Sequence, residues 1–288
     1  MLGSIEAGGT KIVCAVAEKE NVNEIIDSIT IATTTPQENL PQIIAFFGKY
    51  TLDALGVGSF GPIDVDTSSE TYGYITNTPK LAWKNFNFLG KLKEALDCPI
   101  FWTTDVNIAA FGELSYGAAQ KYENCIYLTV GTGIGGGVVV NGHILEGKGH
   151  PELGHIYVNQ KAEDTFAGVC PYHHNCLEGL ASGPAIALRT GQKGQELTED
   201  HEVWEIEADY LAQACVSYTL SFSPEKIILG GGVMKQKQLF PLIRKHYQHL
   251  LNNYVSVGDL DEFIVPCQLQ DQSGIIGGLA LADTLIKE

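Results

Sequence analysis

Ile126-Tyr127-Leu128-Thr129-Val130-Gly131-Thr132-Gly133-Ile134-Gly135-Gly136-Gly137-Val138-Val139-Val140 is the stretch that decides the fold. Apolar runs at 126–130 and 138–140 flank a glycine-rich segment, the pattern of two strands joined by a hairpin turn. No charged residue occurs from 125 to 145, yet glycines and Thr129, Thr132, Asn141 and His143 interrupt that window. A membrane-spanning helix is therefore the poorer reading. The same pattern opens the chain, where apolar runs at 2–6 and 12–17 flank Ala7-Gly8-Gly9-Thr10-Lys11. A hairpin built twice, each time followed by helices and further strands, predicts an internal duplication. Two similar lobes would then enclose a cleft in which both turns face one ligand.

Working outward, the first hairpin leads to a helical segment at 40–47, a strand at 54–59, a helix at 86–96, a strand at 100–104 and a helix at 106–119. Strands alternating with helices in this way predict an α/β domain with a largely parallel sheet. Beyond the second hairpin, 148–178 is an irregular insertion rich in His, Cys, Pro and Gly. Helix resumes at Ser182-Gly183-Pro184, with Ser182 as a cap and Pro184 in the first turn. A long helix at 202–222 puts Val203, Ile206, Tyr210, Ala214 and Tyr218 on one face. A strand at 226–229 then runs into Gly230-Gly231-Gly232-Val233-Met234, and helices at 239–254 and 274–286 close the chain.

Composition limits the partners. Lys and Arg number 18 against 34 Asp and Glu, a net charge of −16, so no general attraction for nucleic acid or an anionic membrane exists. A phosphate ligand must be held by local geometry. Glycine numbers 32, about 12 above the usual share, and the turns at Gly8-Gly9-Thr10, Gly131-Thr132-Gly133 and Gly230-Gly231-Gly232 can point several backbone N–H groups at one anion. None fits the G-x-x-x-x-G-K-[ST] pattern, and a dinucleotide motif would lead into a helix where 138–140 continues as strand. The N-terminus has no basic, apolar or cleavage-site pattern of a secretory signal, so a cytoplasmic protein is expected.

Cys170, His173 and Cys176 recur at three-residue intervals, a donor set suited to tetrahedral zinc. The fourth ligand is open among His155, His150 and His174, with His155 preferred because adjacent His173 and His174 ligate together awkwardly. Such a site would bring Glu152 and Glu178 near one point. Asp105 ends an apolar strand and precedes a helix; it can cap that helix, or sit where parallel sheets place their ligands, or both.

These segments together resemble the ROK family (repressors, open reading frames, sugar kinases) and, within it, the bacterial fructokinase branch. The likeness covers 5–11, Gly58-Ser59-Phe60-Gly61-Pro62, Asn77-Thr78-Pro79-Lys80, Thr104-Asp105-Val106-Asn107, 131–135, His150-Pro151-Glu152-Leu153-Gly154-His155, 170–178 and 229–233. It implies an α/β, duplicated actin-like (ribonuclease H-like) ATPase fold with two lobes and a central cleft. Residues 1–118 with 272–288 would form one lobe, and 119–271, with the zinc loop at 150–178, the other. It further implies a homodimer that transfers phosphate from Mg-ATP to a hexose. Asp105 matches the catalytic aspartate. Asn77, Glu152, His155 and Glu178 would hold the sugar. Gly8, Gly9, Thr10, Lys11, Thr132, Gly133, Pro184, Gly230, Gly231, Gly232, Val233 and Met234 would hold the nucleotide.

Two departures from the family pattern matter. Glu6 stands where many relatives have aspartate, as a candidate Mg²⁺ contact, and His173 replaces the middle cysteine of a three-cysteine zinc loop. The histidine variant is similar to the fructokinase branch, which makes D-fructose the expected acceptor. Alternatives are glucose, mannose or an N-acetylhexosamine. A sugar-sensing repressor would need an N-terminal helix-turn-helix ahead of the first strand, and a catalytically silent sugar binder would not need Asp105 with three glycine turns.

Overall fold

The computed structural model describes residues 1–287. The chain divides into two compact units, Met1–Gln120 with His143–Pro151 and Leu269–Glu288, and Lys121–Gly142 with Glu152–Gln268.

The first unit begins with the hairpin β1 (Leu2–Ala7) and β2 (Lys11–Ala17), whose turn is only Gly8-Gly9-Thr10. An edge strand β3 (Ile25–Ala32) follows, then α1 (Pro36–Phe47), β4 (Ala54–Ser59), a small ribbon of β5 (Tyr74–Ile75) and β6 (Phe86–Asn87), α2 (Phe88–Ala95), β7 (Ile100–Thr104) and α3 (Asp105–Tyr116). The sheet order is β3-β2-β1-β4-β7. β1 is antiparallel to β2 and parallel to β4, and β4 is parallel to β7. The central strands are nearly all apolar and buried on both faces, as parallel sheets require. On one side Trp83 is fully buried and meets Phe60, Phe86 and Phe88 edge to face at 5.3–5.7 Å.

The second unit repeats the start. β8 (Cys125–Val130) and β9 (Ile134–Val140) form an antiparallel hairpin around Gly131-Thr132-Gly133. β10 (His143–Ile144) opens the segment that belongs to the first unit. Then come α4 (Leu177–Ala181), α5 (Gly183–Thr190), α6 (Val203–Phe222), β11 (Lys226–Gly230), α7 (Leu239–Leu251), α8 (Leu260–Phe263) and β12 (Ile264–Pro266). The order β9-β8-β11-β12, with β8 parallel to β11 and β11 parallel to β12, reproduces β2-β1-β4-β7 in sense and sequence. The duplication expected from the two hairpins is thus present strand for strand.

α9 (Ser273–Lys287) returns to the first unit. It packs so closely on α3 and β1 that a Cβ on Gly277 would lie 1.7 Å from the Ile108 carbonyl oxygen and one on Gly278 2.1 Å from Ser4 Oγ. Ile275, Leu279, Ala280 and Ala282 of α9 complete a buried cluster with Leu2, Ala15, Ala17, Val22 and Ala54.

Several local expectations change. Gly135, Gly136 and Gly137 lie in β9, leaving a three-residue turn; Gly136 is crowded by Leu153 and Tyr127, where a Cβ would meet Leu153 Cδ1 at 2.7 Å. α3 is capped by Thr104, whose hydroxyl accepts the Asn107 N–H, so Asp105 is the first helical residue. Ser182 precedes α5 without a side-chain capping bond. β3 carries no continuous apolar run that marks it in the sequence. No described helix is long and apolar enough to cross a membrane.

Candidate active site

In the first unit the strand registers align the carboxyl ends: Ala7 lies beside Ser59, and Ser59 beside Thr104. Glu6 and Asp105 therefore rise from one end of the sheet two strand spacings apart, about 10 Å by sheet geometry. Asp105 is half-buried, and its Oδ1 accepts the Val106 N–H at 2.9 Å, which fixes the rotation of the carboxylate. Burial pushes the Glu6 carboxyl up to about 7; the charge of Asp105 adds to the rise, Lys11 opposes it and Asp271 adds again. Asp271 lies just before α9, and nothing local marks it as a site residue, because 265 positions separate it in the chain from Glu6, the group its charge reaches.

The Gly8-Gly9-Thr10 turn is closed by the Gly8 N–H on the Lys11 carbonyl at 2.9 Å and tied to the end of β3 through Thr33. Lys80 reaches the turn, its Cε 3.7 Å from where a Gly9 Cβ would stand, so a second lysine joins Lys11 there. Asn77 is on an exposed stretch just before it. His150, one of the candidate zinc ligands, belongs to this unit: its Nε2 accepts the Ile63 N–H at 3.3 Å, and burial holds the imidazole below its usual value. Asn107 donates to Thr103 Oγ1 at 2.9 Å, and Thr103 in turn donates to Glu146 at 2.9 Å.

In the second unit two of the three glycine turns converge. Gly131 and Gly232 are neighbours, with the Gly232 nitrogen 3.8 Å from an ideal Gly131 Cβ, and the Gly183 N–H donates to the Gly131 carbonyl at 2.8 Å. Gly231 has φ +90°, and a Cβ there would meet the Val130 carbonyl at 2.5 Å, so only glycine makes this exit from β11. Gly230 is still in the strand, and Met234 is buried. Beside these turns opens a cavity of about 410 Å³ walled by Thr132, Pro184, Ile186, Trp204, Val233 and Gln236. A largely apolar wall next to two glycine turns suits a flat base attached to phosphates.

Glu178, on α4, accepts the Ile134 N–H at 2.9 Å and touches Gly133, which joins the sugar-binding candidates to the glycine turn. Glu152 is held above its ordinary value by lost hydration first and by the Glu178 charge, against the pull of His155. Glu152, His155 and Glu178 thus form one polar group.

The ligand atoms of His155, Cys170, His173 and Cys176 all lie within 4.8 Å of one another. Cys170 Sγ is 3.7 Å from His155 Nδ1 and 3.8 Å from His173 Nδ1, and Cys176 Sγ is 3.5 Å from His155 Nδ1. Tetrahedral zinc with bonds of about 2.0–2.3 Å separates its ligands by roughly 3.3–3.8 Å, so this donor set fits the metal. Burial pushes the Cys176 thiol up to about 11, and its neighbour Cys170 adds to that; a cation at the centre reverses the balance. His174 has φ +56° and is outside the cluster. Both histidines turn Nδ1 inward, which leaves His155 Nε2 on the opposite edge of the ring.

A repeated hairpin-plus-parallel-strand unit with glycine turns at its strand ends defines an α/β protein of the duplicated actin-like ATPase fold. The chain belongs to the ROK family, whose pattern matches residues 2–285. It is 50% identical over 287 residues to a fructokinase of Pediococcus pentosaceus, across 100% of this chain and 99% of the relative. It is 48% identical over 286 residues to a fructokinase of Lactococcus lactis subsp. cremoris, across 98% and 97%. The solved ROK hexokinase from Thermus thermophilus is similar in structure, with a TM-score of 0.80 at 26% identity over 99% of each chain.

Proposed function

We propose that the protein transfers the γ-phosphoryl group of ATP to the 6-hydroxyl of D-fructose, giving fructose 6-phosphate and ADP. The observation that carries this reading is near-complete, 50% identity with a fructokinase, joined to a half-buried aspartate fixed at the carboxyl end of a parallel strand. Asp105 orients the hydroxyl and takes its proton as the new O–P bond forms and the bond from phosphorus to the ADP oxygen breaks. Phosphoryl transfer asks mainly for positioning and charge stabilisation, so one fixed carboxylate suffices for the proton.

Asn77, Glu152, His155 and Glu178 hold sugar hydroxyls, the carboxylates as acceptors and the amide as donor or acceptor. His155 serves the sugar through Nε2 while its Nδ1 faces the thiols. Backbone N–H groups of Gly9, Thr10, Thr132 and Gly133, with Lys11, receive the phosphates, and Gly8 shapes the first turn through its bond to the Lys11 carbonyl. Pro184, Gly230, Gly231, Gly232, Val233 and Met234 shape the nucleoside side. Mg²⁺, when bound, would neutralise nucleotide oxygens; Glu6 is the residue to hold it, since its half-buried carboxyl, which also feels the Asp105 charge, ionises at a cost without a cation. Zinc on His155, Cys170, His173 and Cys176 has a structural role in the 150–178 loop. The protein acts as a homodimer in the cytoplasm.

A sugar panel in a coupled ADP-release assay tests the reading. Fructose should give the highest kcat/KM; a higher value for glucose, mannose or an N-acetylhexosamine would reassign the acceptor, and no sugar-dependent ADP at all would leave a binding protein.

A further inference from the structure

We infer that Glu113 is a positioning residue for phosphoryl transfer, setting the Glu6 and Asp105 carboxylates through the first turn of α9; the inference rests on the kinase reading above.

Glu113 is on α3, eight residues after Asp105, and its side chain is fully buried. Its Oε1 accepts the Leu269 N–H at 2.9 Å and the Ser273 hydroxyl at 2.8 Å, and its Oε2 accepts the Ala118 N–H at 2.8 Å. Leu269 is the residue at which the chain re-enters the first unit. One carboxylate therefore grips the start of the returning segment and the end of its own helix at once. Apolar side chains of the same volume would hold two helices together without the desolvation of a buried acid. What the carboxylate adds is direction: it accepts from a fixed backbone N–H and a fixed hydroxyl, so it sets the rotation of α9 about its axis as well as its distance.

That rotation matters because the residue after Ser273 is Gly274, whose bare Cα forms the floor beneath Glu6. A Cβ at Gly274 would lie 2.5 Å from Glu6 Cδ and 2.6 Å from Oε2. On the other face of the contact, a Cβ on Gly112 of α3 would lie 2.2 Å from the Ser273 carbonyl oxygen. A closed circuit results. Asp105 begins α3, Glu113 holds Ser273 from the same helix, Gly274 supports Glu6, and Glu6 is the last residue but one of β1, in register through β4 with Thr103 of the strand that leads into Asp105. No element of this circuit can turn without moving one of the two acids.

The test uses the whole chain with Glu113→Gln and, as a gentler change that removes the hydroxyl shared between Glu113 and the Gln270 carbonyl, Ser273→Ala. Steady-state kinetics with fructose and Mg-ATP are read beside thermal unfolding. Both variants should lower kcat by about tenfold or more while the KM for fructose stays within about twofold, since an ångström of misplacement costs turnover before binding. If either variant loses thermal stability yet keeps kcat within about twofold of the parent, the clamp is structural only and the inference is overturned. A parent protein that phosphorylates no hexose would instead bring down the kinase reading, and this inference with it.

Discussion

Asp105 combines two properties that a helix start rarely gives one side chain. Thr104 takes over the capping bond to Asn107, so the aspartate is released from that duty, while its own Oδ1 stays fixed on the Val106 N–H. Asp105→Asn keeps the size and the acceptor on that N–H but removes the proton acceptor. We expect kcat to fall by about 10²–10⁴-fold with the KM for fructose little changed; turnover near that of the parent would remove Asp105 from the mechanism. This residue was legible because its position, at a strand end and a helix start, is written in adjacent residues. Glu113 was not. On the sequence it is one more acid on a helix, and its partners Leu269 and Ser273 are 156 and 160 residues away. The same holds for Asp271, whose charge reaches Glu6 only through the return of α9.

The glycines of α9 show how an element reads differently in sequence and in space. Within a helix a glycine costs about 1 kcal/mol relative to alanine, so Gly274, Gly277 and Gly278 look like weak points. They are the contact surface: Gly277 meets the Ile108 carbonyl, and Gly278 meets Ser4. Gly277→Ala gains helix propensity but drives a methyl into backbone that cannot move away. Overpacking of this kind costs about 1–3 kcal/mol or more, so a lower melting temperature than the parent is expected, and an unchanged or higher one would show that α9 shifts freely on α3. The hairpins and the strands at 54–59 and 100–104 were legible because each is a continuous apolar run between turn residues. β3 was not, because an edge strand with one exposed face mixes Asp27, Ser28 and Thr30 into its isoleucines. Gly135–Gly137 differ in the opposite sense: glycine suggests a turn, whereas these residues are strand, and at Gly136 the packing of Leu153 on β9 leaves no room for a Cβ.

At the scale of the molecule, a net charge of −16 coexists with sites suited to a polyanion. The lysines Lys11 and Lys80 beside the first glycine turn are local exceptions to the overall field. The four zinc-type ligands all belong to the second unit. One zinc per chain is expected by metal analysis, and chelation should speed hydrogen exchange across 169–180 while amides of β1 and β4 keep their protection; protein purified without chelator and free of zinc would overturn that assignment.

The late return of α9 also sets an order of assembly. On the ribosome the strands of the first unit emerge early, yet the cluster of Leu2, Ala15, Ala17, Val22 and Ala54 waits for Ile275, Leu279, Ala280 and Ala282, which are made last. The second unit, begun later, has all of its chain once Gln268 is out. The unit that holds the first strands is thus the one whose apolar cluster closes only when α9 docks on it.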